Sequence, residues 1–457
     1  MSQTKEDAIL LEAALEAARD TRSLRVAPGA RHETAEVFAN HFSDEPPLIV
    51  TDKATFEAAG KDVQASFQRA GRSCDPPFVF GPDVYAESAF VNQLQKALAD
   101  RPGIPVAIGS GTINDLTKLV AHRLGKRYLS VATAASMDGY TAYGASITHE
   151  GSKQTFDCPA PLAVIADLEV IARAPKGLNA SGYADLMAKE VAGADWILAE
   201  AAGVEPIDPS VWETVQGRLR TWLGNPSGIA RNDPATLHGL VNGLMMSGFA
   251  MQAAQTSRPA SGADHQFSHL WDMQHHTHHG DAPSHGFKVG IGTLASSALY
   301  EELLRRDLGQ LDVDQAISQW PDTDQVEARI IAVFGPGELA SKAIEETRAK
   351  ETDPESVRAR LERIKEQWPQ VRSRLVKHLT PLKKAREALR DAGCPYEPEQ
   401  IGISRVRLRD SFEQAYYIRR RYTVLDLARE AGLFDSALGH LFGSRGAWPI
   451  TSQEPAR

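Results

Sequence analysis

The chain has 457 residues, 42% of them hydrophobic and 24% charged, with a net charge of −9. That is the profile of an ordinary globular protein long enough for two domains. It speaks against nucleic acid or an anionic membrane surface as a partner. No apolar run reaches the roughly 20 residues that a bilayer span needs. Three scattered cysteines, Cys74, Cys158 and Cys394, indicate neither a disulfide framework nor a thiolate zinc site. The opening MSQTKEDAILLEAALEAARD carries acids throughout and reads as an amphipathic helix, not a secretory signal. A reducing cytoplasm is the expected compartment.

Beyond that helix, short apolar runs alternate with helical patterns. PLIVT (47–51), PFVF (77–80), IPVAI (104–108), YLSVA (128–132) and PLAVIADL (161–168) read as buried strands, with helices predicted over 53–70, 89–100 and 113–124. Alternation of this kind predicts a mostly parallel sheet covered by helices. From about residue 177 the strand signals nearly vanish, and helices are predicted over 182–202, 209–223, 234–256, 286–306, 325–332, 354–378, 380–392 and 407–432. The expected architecture is therefore an α/β domain over 1–176 followed by an all-α domain over 177–457. The tail after about 445 lacks a periodic apolar face and is expected to be poorly ordered.

Four segments carry residues suited to chemistry. Gly109-Ser110-Gly111-Thr112-Ile113 follows a predicted strand and opens a helix. Glycine admits a close pyrophosphate, and a helix N-terminus offers unpaired N–H groups; a plain strand-to-helix turn has the same look. Thr133-Ala134-Ala135-Ser136, followed by Met137 and Asp138, ends the next strand. Thr133 and Ser136 can bond the same cofactor and Asp138 a hydroxyl, or the group can be a cap. Asp52 ends PLIVT, where an acid either binds ribose hydroxyls or forms a turn. Lastly, Asp185, His265 and His285 stand on three predicted helices, with His269 four residues beyond His265. Two imidazoles and a carboxylate suit Zn²⁺, Ni²⁺ or Fe²⁺ and leave an open position for a substrate. Among 14 histidines some clusters arise by chance, and HHTHHG (His275, His276, His278, His279) is a competing cluster that reads as a solvated loop.

In this order the segments GSGTINDLTK, TAASMDGYTAYGAS, APLAVIADLEVI, SGYADLMAKEVAGADW, SGADHQFSHLWDM, SHGFKVGIGTL and YIRRRYTVLDLA resemble the sn-glycerol-1-phosphate dehydrogenase family, in its bacterial arabinose-operon branch. The family lies within the dehydroquinate synthase-like and metal-dependent alcohol dehydrogenase superfamily. The resemblance implies a Rossmann-like N-terminal domain with a helical C-terminal one, and NAD(P)H-dependent reduction of dihydroxyacetone phosphate to sn-glycerol 1-phosphate. It implies Asp185, His265 and His285 as ligands of one divalent metal, with Zn²⁺ or Ni²⁺ ahead of Fe²⁺. Asp138 and His269 fall at substrate positions, and Gly109 to Ile113 and Thr133 to Ser136 at nucleotide positions. A homo-oligomer, often a dimer, is implied as well. Ala142 stands where relatives often carry a cofactor-contacting serine, and the HHTHHG loop lengthens the His265–His285 connection. Lys189, Arg419 and Arg420 are candidates for the substrate phosphate. The rival readings are a related glycerol or alcohol dehydrogenase, a dehydroquinate synthase-like lyase or cyclase, and a sugar-phosphate sensor.

Overall fold

The structure, a computed structural model, describes residues 3–149, 152–350 and 353–450. The chain divides into two units. The first comprises Met1–Leu186, Ser210–Ala260 and Asp391–Gly393; the second comprises Met187–Pro209, Ser261–Arg390 and Cys394–Arg457.

In the first unit, helix α1 (Gln3–Ala17) precedes eight strands: β1 (Ser23–Ala27), β2 (Pro47–Asp52), β3 (Phe78–Phe80), β4 (Ile104–Gly109), β5 (Leu129–Ala132), β6 (Ala145–His149), β7 (Ser152–Phe156) and β8 (Ala163–Asp167). Six of them form one sheet in the order β1-β8-β5-β4-β2-β3, parallel throughout, and β6 pairs antiparallel with β7. All five predicted strands are present. Sequence pattern did not reveal β1, a short edge strand with Arg25 exposed, nor the β6–β7 hairpin, whose Ser, Thr and Gln residues make no apolar run.

Successive strand residues point to opposite faces, and both faces are buried. Ile49, Val106, Ile108, Leu129, Val131 and Ile165 meet Phe38 of α2 (Thr34–Phe42) and Phe67 of α3 (Lys61–Arg69) on one side. Leu48, Val50 and Ala107 meet Leu94 and Leu98 of α4 (Ser88–Leu98) and Leu116 and Val120 of α5 (Gly111–Arg123) on the other. The predicted helix over 53–70 is interrupted by a π-helical turn, Phe56–Gly60. There the Phe56 ring lies so close to Gly60 that an added Cβ would sit 2.4 Å from Cδ2. The chain runs from β2 outward to β3, then returns past β2 to β4. Its direction therefore reverses between β2 and β4, the place where open α/β sheets bind ligands at their C-terminal edge.

Helix α6 (Lys176–Ala201) carries the cut between the units, just after Leu186. Helix α7 (Pro234–Ala254) belongs to the first unit and anchors its N-terminal segment. The buried amide of Gln252 on α7 accepts from the N–H of Asp20 at 3.1 Å and of Thr21 at 3.4 Å, and donates to Thr21 Oγ1 at 2.9 Å. At the end of β8, Asp167 accepts from the N–H groups of Gly29, Arg31 and Glu169 and from the Arg31 guanidinium at 2.7 Å.

The described part of the second unit is helical, including α8 (Ala263–Met273), α9 (His285–Leu304), α10 (Arg405–Tyr417) and α11 (Val424–Glu430). The single helix predicted over 407–432 is thus two. Thr423 stops the first arrangement and starts the next: its side chain caps α11 while its N–H donates to Asp426 Oδ2 at 2.8 Å, a reciprocal capping box. The expected loose tail is also corrected as far as residue 450. Trp448 is fully buried, stacked on Phe442 at 6.0 Å with the Arg386 guanidinium over its ring. Residues 451–457 lie outside the described residues.

Burial by itself would raise the pKa of Asp167, but the bonds from Arg31 and Glu169 outweigh it and hold the carboxyl below its ordinary value. A depressed carboxylate contributes stability above its unfolded pKa and loses it as pH falls through the folded one. Asp167→Asn is expected to cost about 1–3 kcal/mol at neutral pH. In urea titrations across pH, the gap from the parent should close below pH of about 4.

Candidate active site

The C-terminal ends of β4 and β5 lie side by side, and the Thr133 N–H donates to Gly109 O at 3.1 Å. Gly109 and Thr133 therefore open two adjacent loops on the edge where the strand order reverses. Gly109 is sterically required, whereas at Gly111 only the flexible end of Met137 would have to give way. A Cβ on Gly109 would lie 2.5 Å from Ile113 Cβ, and one on Gly111 would lie 2.9 Å from Met137 Cε. Ser110 is the N-cap of α5 but its side chain makes no capping bond to the first N–H groups of the helix. Asp52, at the end of neighbouring β2, uses Oδ1 to accept the Thr55 N–H at 2.9 Å in a capping box. The turn-forming role is thus present.

The loop from Thr133 to Gly144 is fixed from two sides. From α5, the buried ammonium of Lys118 donates to Gly139 O at 3.0 Å, Ala142 O at 2.9 Å and Gly144 O at 2.8 Å, which uses all three of its protons. Ala142 contributes its carbonyl here and packs its methyl with Met251 and Ala260. From α6, Asn179 Oδ1 accepts the Ala135 N–H at 3.1 Å and Ser181 Oγ donates to Ser136 O at 3.2 Å. Gly182 lets the two backbones approach until an added Cβ would fall 1.9 Å from Ala135 O. One turn further, Asp185 Oδ2 accepts the Asp138 N–H at 3.0 Å, and Asp138 Oδ2 in turn accepts from Ser247 Oγ at 2.8 Å. Lys118, Asn179, Ser181 and Ser247 escaped the sequence reading, since each acts through backbone carbonyls or a single polar partner and none has a chemical signature of its own.

The two histidine-bearing helices approach just as closely. A Cβ on Gly292 of α9 would meet Asp264 O of α8 at 2.2 Å, and Lys288 of α9 forms a buried ion pair with Asp272 of α8. His265 and His285 have ring centroids 5.3 Å apart, with the half-buried His269 ring 6.1 Å from that of His265. Asp264 is a further residue that sequence reading missed: its Oδ1 is hydrogen-bonded to His265 Nδ1. A carboxylate on one ring nitrogen fixes the tautomer and leaves Nε2 as the lone-pair donor. Asp185, His265 and His285 each offer a ligand atom, and these atoms all lie within 4.8 Å of one another. An ion with bonds of about 2.0–2.2 Å can draw such a set together, and the donor types fit a borderline divalent cation.

The competing His cluster is different. His276 is buried, with Nε2 at 2.6 Å from Ile401 O and Nδ1 at 2.7 Å from Arg407, so one of the four is a structural residue and not part of a solvated loop. His275 and His279 are exposed turn residues with positive φ. Of the phosphate candidates, Arg420 is held in a bidentate pair by Glu346, Arg419 donates to Ser261 Oγ at 3.1 Å, and Lys189 is fully buried.

Comparison with known proteins follows the same lines. A family profile described as iron-containing alcohol dehydrogenase matches residues 25–175. A glycerol-1-phosphate dehydrogenase of Halalkalibacterium halodurans, NAD(P)⁺-using by its name, is 33% identical over 263 residues, which is 57% of this chain and 66% of that one. The protein of the same name from Bacillus velezensis is 33% identical over 301 residues, 64% of this chain and 76% of its own. The match thus spans just under two thirds of the first relative and about three quarters of the second. Among solved structures, sulfoacetaldehyde reductase from Bifidobacterium kashiwanohense in complex with NAD⁺ aligns with a TM-score of 0.60 at 12% identity, covering 93% of this chain and 98% of its own. That likeness is one of fold.

Lys118→Met would strand the buried carbonyls of Ala142 and Gly144, while Gly139 O would keep its bond from Asn114 Nδ2. It is expected to cost about 3 kcal/mol and to speed amide hydrogen exchange selectively over residues 139–146, which mass spectrometry of peptides from that loop would read.

Proposed function

The chain belongs to the glycerol-1-phosphate dehydrogenase family, and from that membership we propose that it converts dihydroxyacetone phosphate, NAD(P)H and a proton into sn-glycerol 1-phosphate and NAD(P)⁺. The observation that carries the reading is the convergence of Asp185, His265 and His285, drawn from three helices far apart in sequence, into one ligand-capable set. We assign residues 1–176 to dinucleotide binding and 177–457 to the metal and substrate.

When bound, the metal supplies a Lewis acid for the ketone oxygen, and the nicotinamide supplies the hydride. The protein's own part is to bind, orient and move a proton. Gly109 to Ile113 cradle the pyrophosphate on the uncapped N-terminus of α5, with Thr133 to Ser136 alongside. Asp52 Oδ2, not used in its capping bond, takes a ribose hydroxyl. Asp185, His265 and His285 hold the cation, and the Asp264 carboxylate keeps His265 in the tautomer that presents Nε2. Asp138, oriented by Ser247, accepts a substrate hydroxyl and so selects the face of the ketone. His269, half-buried and therefore in reach of water, delivers the proton to the alkoxide oxygen. Two imidazoles and one carboxylate accept Zn²⁺, Ni²⁺ and Fe²⁺ alike, and we place Zn²⁺ or Ni²⁺ first. No helix among the described residues is long and apolar enough to cross a membrane. A cytoplasmic homodimer completes the proposal, to be checked by light scattering on the purified protein.

His265→Ala and Asp185→Ala are each expected to lose bound metal, with turnover falling on the order of 10²–10³-fold, as when other groups that stabilise an oxyanion are removed. Metal content and NADH absorbance measured on the same samples, with each cation reloaded and the product's chirality determined, decide the matter. Turnover that survived complete loss of metal would overturn the reading. An absence of net NADH consumption would point to lyase chemistry, and faster turnover of unphosphorylated substrate to a glycerol dehydrogenase. Gly109→Ala should raise the KM for the nucleotide at least about tenfold while leaving metal content unchanged.

A further inference from the structure

Helix α8, which carries His265 and His269, begins without a side-chain cap of its own. Its N-cap residue is Gly262, and the first helical N–H, that of Ala263, has no intrahelical partner. The missing acceptor comes from another helix. Asp195, fully buried on α6, accepts the Ala263 N–H on Oδ2 at 2.7 Å. Its Oδ1 accepts the N–H of Val424, the first residue of α11, at 2.8 Å and the hydroxyl of Tyr300 at 2.6 Å. One carboxyl group therefore closes the start of two helices; its three donors offset only part of the cost of burial, which with the nearby Asp264 raises its pKa to about 7.

The junction is also sterically closed. A Cβ on Gly262 would lie 2.4 Å from Asp195 Oδ2 and 2.9 Å from Ala192 Cα, so the chain enters α8 pressed against the backbone of α6. His265 follows Ala263 by two residues and His269 lies one turn further. On a rigid helix, the point at which the first N–H is anchored dictates where both rings stand. Asp185 precedes Asp195 by ten residues on α6, a rise of about 15 Å. The helix that presents one ligand thus also anchors the helix that presents another.

We propose that Asp195 is a positioning residue of the metal centre, which sets the place of His265 by fixing the first N–H of α8. The inference rests on the reading of His265 as a ligand. An unanchored α8 would still fold against its neighbours through Gly292 and the Lys288–Asp272 pair, but its histidine rings would be offset from the remaining ligands. Affinity and coordination geometry, more than the fold, would then suffer.

Asp195→Asn keeps the side-chain shape but gives up one of the two carboxylate oxygens, so the Ala263 and Val424 N–H groups can no longer both be served. Gly262→Ala pushes the two backbones apart. Tyr300→Phe removes a donor from Oδ1 and leaves the Ala263 bond in place. Each variant, stripped of metal, is titrated with Co²⁺, with affinity read by chelator competition and ligand geometry by the visible d–d bands. Asp195→Asn and Gly262→Ala are expected to weaken Co²⁺ binding about tenfold or more and to alter the bands. Tyr300→Phe should lower Tm yet hold Co²⁺ affinity within about twofold of the parent. Parental affinity and spectrum in Asp195→Asn would overturn the proposal; were that variant not to fold, the same result in Gly262→Ala would do so. His265→Ala serves as the reference. If it bound Co²⁺ as the parent does, the ligand reading itself would fall, whereas its loss beside a parental Asp195→Asn would sink the positioning role alone.

Discussion

A carboxylate with no contact to solvent has to find donors or a cation, and Asp185 is such a group. The backbone N–H of Asp138 serves one of its oxygens at 3.0 Å. The loop that offers this N–H is itself pinned by Lys118, Asn179 and Ser181, and Asp185, His265 and His285 offer ligand atoms within 4.8 Å of one another.

Backbone proximity is the means by which these groups are brought close. Gly182 admits Ala135 O, Gly292 admits Asp264 O and Gly262 admits Asp195 Oδ2, each at a separation that no Cβ could share. All three approaches lie within a few residues of a proposed functional side chain. Larger side chains at these points would have to be accommodated by moving a helix, and close-packed interiors yield little to such demands. Precision in the site is therefore stored in the absence of side chains as much as in their presence.

How far the sequence alone disclosed this can be argued from particular residues. Strands β2, β4, β5 and β8 were legible because both sheet faces are buried, so their apolar runs are unbroken. Strand β1, with Arg25 paired to Glu33 on the surface, carries no such run. The metal-capable set was suggested by residue type, two imidazoles and a carboxylate, but among 14 histidines it was the family resemblance that singled it out. Asp264 and Asp195 were not, because an acid beside a histidine or along an amphipathic helix reads as an ordinary surface charge until its burial is known. The break at Thr423 had a signal that pattern reading passed over: Thr423 and Asp426 have the spacing of a capping box, embedded in a stretch whose periodicity suggested one long helix.

The bond between Gln252 and residues 20 and 21 joins positions 232 and 231 apart in the chain. At biosynthetic rates of about 5–20 residues per second, tens of seconds separate the emergence of these partners from the ribosome. Strand β1 likewise waits for β8, its one neighbour in the sheet among the described residues. The first segment made thus settles only after partners far along the chain have emerged, and a newborn chain holds out an unmatched strand edge until β8 is made. That is a window in which a chaperone, or another nascent copy, meets a surface that the finished molecule never displays.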